Sequence, residues 1–269
     1  MKIAVVISGL ARFPEQGFPF LQRIIQQSQH DIDVFAGVWN IDTIPDHIVC
    51  ELKGISYIPY DIRNKLHALL EENFLSGKLF NLNCVTEQHA GLIGHMTACT
   101  AFKDQLVNYD LIIKWRWDLA MMLKDFELIC DKYIADPHTV ITDNIGVSEG
   151  FPIMNEVAFA ANPCIMLSIF TPVEEKFLYL GQELQMDVIK HGSKLRVGGL
   201  FSHARLVNLS GFRISTAPFK WALLRKNILE HPEYVNCQNI DIMLSLQRSS
   251  DRIKDFELKK INSSTLRSV

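Results

Sequence analysis

The apolar positions of this chain follow two rhythms that alternate along its first half. Residues 2–7 form a short run, Lys-Ile-Ala-Val-Val-Ile, that is almost wholly apolar and β-branched. Such a run suits a strand covered on both faces, as in a parallel sheet. Ser8-Gly9 ends it. Phe18, Leu21 and Ile25 then recur at helical spacing, which predicts a helix over about 18–28. A second strand is expected at 31–36, with Gly37 to Asn40 as its exit, and a third at 55–59. Asp61 stands where an N-cap would, ahead of a helix to about Leu75 with Ile62, Leu66, Leu69, Leu70 and Phe74 on one face. Another helix is expected over 89–107. The strongest strand of the chain follows at 109–117.

Further on, strands are expected near 139–142 and 156–161, and a mostly helical section over 163–190 with Gly192 as its cap. Short strands at 194–197 and 212–216 complete the pattern. Strands alternating with helices argue for βαβ units and an α/β fold with a mainly parallel central sheet flanked by helices. No Gly-, Pro- or Ser-rich linker divides the chain. Residues 1–247 are therefore read as one domain and 248–269 as a polar tail.

Composition narrows the function classes. With 269 residues, 48% hydrophobic and 21% charged, the chain suits an ordinary globular core. The net charge of −3 gives no overall basic field, so nucleic acid is not an expected partner. The opening apolar run is too short for a secretory h-region, and no run approaches the roughly twenty apolar residues of a membrane helix. The expected location is cytoplasmic, with peripheral membrane contact through the slightly basic tail left open. The six cysteines include no C-x-x-C pair and are expected to be reduced. Cys84, His89, His95 and Cys99 are spaced C-x4-H-x5-H-x3-C, which fits no common structural zinc pattern.

Ligands of open α/β sheets bind outside the carboxyl ends of the strands. That rule selects Ser8 to Arg12, Trp39-Asn40, Lys114 to Asp118 and Asp143-Asn144. Gly9 permits close backbone approach or positive φ, and Arg12 has the forked donors that grip phosphate. Neither G-x-G-x-x-G nor G-x-x-x-x-G-K-[ST] is present, which disfavours dinucleotide oxidoreductases and P-loop enzymes. Trp39, at a strand exit, is placed either to stack on a ring or to fill the core. Along 109–119, side-chain alternation puts Lys114, Arg116 and Asp118 on one face and Ile113, Trp115 and Trp117 on the other. Two cations and a carboxylate at a strand end suit a diphosphate. The cations neutralise it, and the carboxylate either holds Mn²⁺ or Mg²⁺ or pairs with a neighbouring cation.

The segment Tyr109-Asp110-Leu-Ile-Ile-Lys114-Trp-Arg116-Trp-Asp118-Leu119 resembles the "YD-hydrophobic-I-R-x-R-x-D" stretch of the WavE lipopolysaccharide-synthesis family, a GT-A type of glycosyltransferase. The opening strand with Ser8-Gly9-x-x-Arg12 and the Asp33-Val34-Phe35 strand are similar too. The resemblance implies a Rossmann-like GT-A fold and transfer of a sugar from a nucleoside-diphosphate donor to a glycan or lipid-linked acceptor. By it, Asp118 matches the last carboxylate of the Asp-x-Asp metal motif; on the transferase reading, Ser8, Gly9, Arg12, Lys114 and Arg116 are the expected donor contacts, with Trp39 either stacking on the donor or filling the core. Arg116 stands where many such enzymes have the first Asp, a departure that puts metal dependence in question. His203 becomes a candidate late metal ligand. Glu156 and Glu183 become candidate bases for the acceptor hydroxyl. The competing expectation is a non-catalytic nucleotide- or carbohydrate-binding protein on a degenerate transferase fold.

Overall fold

The computed structural model describes residues 1–74, 90–148, 151–154, 157–191, 199–224 and 229. The chain runs β1 (Lys2–Ile7), α1 (Pro14–Gln27), β2 (Asp31–Trp39), α2 (Asp46–Val49), β3 (Gly54–Ile58) and α3 (Ile62–Asn73). It continues as α4 (Ala90–Ala101), α5 (Lys103–Leu106), β4 (Leu111–Trp115), β5 (Leu119–Met121) and α6 (Leu123–Ala135). Next come β6 (Thr139–Thr142), β7 (Ile145–Ser148), β8 (Phe151–Met154), β9 (Phe159–Ala161) and α7 (Pro163–Phe170). The last described elements are α8 (Val173–His191), α9 (Gly199–Leu209), β10 (Arg213–Thr216) and β11 (Trp221–Leu223).

Seven strands form the central sheet in the order β10-β6-β9-β4-β1-β2-β3. Six run parallel, and β9 is antiparallel to both β4 and β6. The mixed α/β architecture and mostly parallel sheet expected from the sequence are both present. The strand order explains the unbroken apolar runs. β1 sits between β2 and β4, and every residue from Ile3 to Ile7 is buried. Its alternate residues feed two cores. Ala4 and Val6 pack with α3, α4, α7, α8 and α9 on one face. Ile3, Val5 and Ile7 pack with α1 and α6 on the other.

The sequence reading departs from the structure where local signals compete with packing. The strand expected over 109–117 is only Leu111–Trp115, because the chain turns at Arg116, whose carbonyl accepts the Leu119 N–H at 3.2 Å. The helix expected over 89–107 breaks at Phe102, which leaves helical geometry to pack on Phe35. Asp61 does occupy the N-cap position of α3, but its side chain makes no capping bond and its carboxylate reaches Lys65 at 3.2 Å instead. The helical section after 163 divides at Thr171-Pro172, since a proline cannot continue the helix before it. The true cap in this region is Asn162, whose Oδ1 accepts the Ile165 N–H at 2.8 Å. The strand expected near 156–161 keeps only Phe159–Ala161. Gly192 and the strand expected at 194–197 lie outside the described residues, as does the polar tail.

Two small two-stranded sheets flank the large one. β5 pairs with β11 antiparallel, and Leu224 N–H donates to the Asp118 carbonyl at 2.8 Å. β7 and β8 form an antiparallel pair. The chain therefore leaves the central sheet at Arg116-Trp117-Asp118 and enters the β5–β11 ribbon. α1 lies hard against this exit. A Cβ added at Gly17 would come within 2.0 Å of the Trp117 carbonyl oxygen, so the helix can sit there only as glycine. Gly17→Ala is expected to lower stability by about 1–3 kcal/mol, the usual range for overpacking. Gly91→Ala, which faces open space on α4, is expected to leave the thermal midpoint unchanged or slightly raised. Thermal melts of the two variants check this contrast.

Candidate functional site

After β1 the chain builds β2 and β3 on one side, then crosses to build β4 on the other. The order 3-2-1-4 makes β1/β4 the point where successive connections part, and open α/β sheets hold their ligands at such a point, in a crevice outside the strands' carboxyl ends. Ser8 to Arg12 and Arg116 to Asp118 are the two loops that flank it. They are tied together by the Ser8 N–H, which donates to the Trp115 carbonyl at 3.1 Å.

The first loop has the backbone such a site needs. Gly9 has φ +102°, a region that side-chain-bearing residues rarely enter. A Cβ there would meet nothing within 4 Å, so the glycine serves conformation and the space in front of it is open. Ala11 N–H donates to Asp42 Oδ2 at 2.9 Å, anchoring the loop to the segment after β2. Phe13, at φ 52°, is left-handed without being glycine and turns the chain into Pro14 at the start of α1. Arg12 lies between them in sequence and is exposed.

Two donors beside this loop have no hydrogen-bond partner among the described residues, although both are buried. They are Ser8 Oγ and Trp39 Nε1. Buried polar groups are nearly always satisfied, so each orphan calls for an explanation. Their surroundings are small by construction. A methyl placed on Gly94 of α4 would lie 3.4 Å from the Gly9 nitrogen and 3.5 Å from Trp39 Nε1. Gly94 thus keeps the backbone of the first loop and the indole N–H clear of side chains. Gly94 and Asp42 escaped the sequence reading. The Gly91-x-x-Gly94 spacing on α4 was the available signal for the first. Trp39 itself is 1% exposed and packs edge-on to Tyr60, so its ring belongs to the core and only its N–H remains to be used.

The charged trio of the second loop is divided. Lys114 is on the strand, 2% exposed, with its ammonium 5.6 Å from the centroid of Phe159. Arg116 and Asp118 lie in the turn beyond it and hold each other. Arg116 Nε donates to Asp118 Oδ1 at 2.8 Å, and a terminal guanidinium nitrogen donates to Oδ2 at 2.9 Å. This is the forked geometry that makes arginine–carboxylate pairs strong. Asp118 is 1% exposed and Arg116 about a quarter exposed, so the pair buries its anion and leaves its cation edge toward solvent. As it stands the turn does not fit a metal at Asp118: both carboxylate oxygens are already engaged, and the guanidinium takes the place a cation would need. Ile113, Trp115 and Trp117 share the opposite core with α1 and α6, as their alternation predicts.

His203 lies elsewhere, in a buried aromatic and basic cluster on the α4 side of the sheet. Its ring stands 5.5 Å from Phe159 and 6.0 Å from Phe170, centroid to centroid. His95 packs on the same two rings, at 5.4 and 4.9 Å, and its Nε2 lies 3.5 Å from Cys99 Sγ. His95 and Cys99 are thus core residues of α4, while Cys84 and His89 lie outside the described residues. Glu183 falls on α8, which packs against α3, α4 and α9. Glu156 lies outside the described residues. Asp143 at the end of β6 accepts from Trp221 Nε1 at 2.8 Å, and Asn144 is exposed. A separate cavity of about 720 Å³, lined by Phe74, Glu175, Lys176, Tyr179 and Phe212 among others, opens beside the start of β10. None of its lining residues belongs to the loops of the crevice.

The His95 cluster has a titration consequence. Burial, then the nearby Lys114 charge, then His203 hold the His95 pKa well below its ordinary 6.5. The folded state therefore keeps His95 neutral where the unfolded chain takes up a proton. By linkage, stability is full above about pH 6.5 and falls as pH drops below it. The thermal midpoint of His95→Gln is expected to depend less steeply on pH between about 6.5 and 5 than that of the native chain. Equal slopes would remove His95 from the acid response.

No family model matches the chain, and no curated protein matches it in sequence. Among solved structures, mouse xyloside xylosyltransferase 1 in its apo form is similar, with a TM-score of 0.44 and 9% identity. The match covers 80% of this chain and 85% of that one.

Proposed function

We propose that this protein is a glycosyltransferase that binds a nucleoside-diphosphate sugar in the β1/β4 crevice and passes the sugar to a glycan or lipid-linked acceptor. The observation that carries the reading is the convergence at one strand-end crevice. A left-handed glycine, two buried unpartnered donors and two arginines belong to or adjoin the loops at these strand ends. A diphosphate needs donors that approach without side-chain bulk, and it needs fixed positive charge. Gly9 and Gly94 supply the first condition. Arg12 and the solvent edge of Arg116 supply the second, and Lys114 adds a further cation near the end of β4. Ser8 Oγ and Trp39 Nε1 are the donors left to meet the nucleotide. The resemblance of residues 109–119 to the WavE group supports the same assignment.

Chemically, departure of a nucleoside diphosphate places negative charge on the leaving phosphate. Preorganised cations in a partly dry crevice stabilise that charge without reorganising. Arg116 is held in place by Asp118, so in this reading Asp118 acts as a positioning residue for the cation. Glu183, and Glu156 beyond the described residues, are the carboxylates proposed for the acceptor hydroxyl. A Mn²⁺ or Mg²⁺ ion at Asp118 would require Arg116 to let the carboxylate go, and His203, packed on Phe159 and Phe170, is not proposed as its co-ligand.

The engaged state of Asp118 also favours a second reading, a donor-binding protein that turns nothing over. A thermal-shift screen of nucleoside diphosphates and their sugars, with and without Mn²⁺, tests binding. A donor at about 100 times its Kd adds roughly 2.7 kcal/mol. A shift that needs no metal is expected, and Arg12→Ala is expected to weaken it at least tenfold without changing the melt of the free protein. Charge-assisted hydrogen bonds of about 1.5–3 kcal/mol set that scale. A shift seen only with Mn²⁺ would move the assignment to Asp118 as a ligand. Release of nucleoside diphosphate in the presence of acceptor glycans separates transferase from binder. The absence of any shift would remove the nucleotide site.

A further inference from the structure

At the opposite end of the sheet from the crevice, three side chains of different ligand chemistry meet. His30 immediately precedes β2, and Ser28 ends α1. Glu127 and Cys130 lie on α6 three residues apart, a spacing that puts them on one helix face. The imidazole, carboxylate and thiol donor atoms all lie within 4.8 Å of one another. His30 Nε2 is 3.1 Å from Glu127 Oε2. Ser28 Oγ, the C-cap residue of α1, donates to the other carboxylate oxygen at 2.8 Å.

We propose that His30, Glu127 and Cys130 form a site for a divalent cation of the zinc class, clamping the end of α1 and the start of β2 to α6. Tetrahedral zinc with nitrogen and oxygen ligands at about 2.0–2.1 Å has ligand–ligand edges of about 3.3 Å. The His30–Glu127 separation is already close to such an edge. The set of one imidazole, one thiolate and one carboxylate selects zinc over magnesium, calcium or manganese, which prefer all-oxygen shells. Ser28 fixes one carboxylate oxygen and turns the other toward His30, the role outer-shell partners play around metal ligands. Cys130 is fully buried and the His30 side chain 7% exposed, while Glu127 is about a quarter exposed and forms the mouth. Water fills the fourth position. On binding, the Cys130 S–H bond breaks, a sulfur–metal bond forms, and one proton leaves to solvent.

A histidine–glutamate ion pair beside a buried thiol is the simpler alternative, and metal binding distinguishes the two. The chain of residues 1–269, stripped with a chelator, is titrated with Zn²⁺ against a chromophoric competitor and separately with Co²⁺. One equivalent is expected, with a thiolate-to-cobalt charge-transfer band and a raised thermal midpoint. Cys130→Ser is expected to abolish that band. Glu127→Gln and His30→Gln are expected to weaken Zn²⁺ binding at least tenfold. No stoichiometric binding would overturn the proposal, and so would a band that survives Cys130→Ser. If Cys130→Ser fails to fold, His30→Gln decides: an unchanged Zn²⁺ affinity in that variant overturns the site. None of these readouts involves nucleotide, so the result is independent of the donor site.

Discussion

The parallel pairing of β1 with β2 on one side and β4 on the other is the constraint from which the rest of the molecule follows. It buries β1 on both faces, which is why residues 3–7 carry no polar side chain. It commits alternate residues of β1 and β4 to separate helical layers. It also makes the chain's two outgoing connections part at the carboxyl ends of these strands. The Ser8–Trp115 backbone bond joins the two loops at these ends. The two loops that this bond joins carry Ser8, Gly9, Arg12 and Arg116, while Trp39 at the end of β2 and Gly94 on α4 pack beside the first of them.

Charge is handled differently at three depths of this sheet. At the crevice, Asp118 is buried but satisfied by a forked arginine, so its cost of desolvation is offset and the cation keeps a solvent edge. Within the layer above α4, Lys114 sits against Phe159, where its charge helps keep His95 neutral. At the far end, the His30–Glu127 pair stands beside a thiol that burial and neighbouring carboxylates push up to about 12. A polar group in the interior is thus either paired, set against an aromatic ring, or left with an unfilled bond. Among the described residues the last condition holds for Ser8 Oγ and Trp39 Nε1 beside the first loop, and also for Trp117 Nε1 and Asp125 Oδ2.

Much of the architecture was legible because it is written in local periodicity. The run at 2–7, the helical repeat through Phe18, Leu21 and Ile25, and the alternation of Ile113, Trp115 and Trp117 each map onto observed packing. The left-handed Gly9 was likewise readable, since a strand-ending glycine has few other uses. Illegible features depend on distant partners. The strand after Tyr109 stops at Trp115 because a turn, and then the β5–β11 ribbon, capture the chain; nothing local to Arg116 announces that. Alternation therefore placed Lys114, Arg116 and Asp118 in one row, whereas the turn pairs the last two. Gly94 matters through its distance from Gly9 and Trp39, residues far away in sequence. His30, Glu127 and Cys130 have no motif spacing, because β2 and α6 bring them together only in the folded chain.

The central claim is that nucleotide enters the β1/β4 crevice and meets the free indole N–H of Trp39. The chain has four tryptophans, so ¹⁵N-indole labelling gives four side-chain signals, and Trp39→Phe assigns the one that matters. The account predicts that UDP, GDP, ADP or CDP shifts the Trp39 Nε1–H signal as it binds, while Trp221 Nε1–H, held by Asp143, stays in place. Saturable nucleotide binding that leaves the Trp39 signal unmoved would contradict it and put the site elsewhere on the molecule.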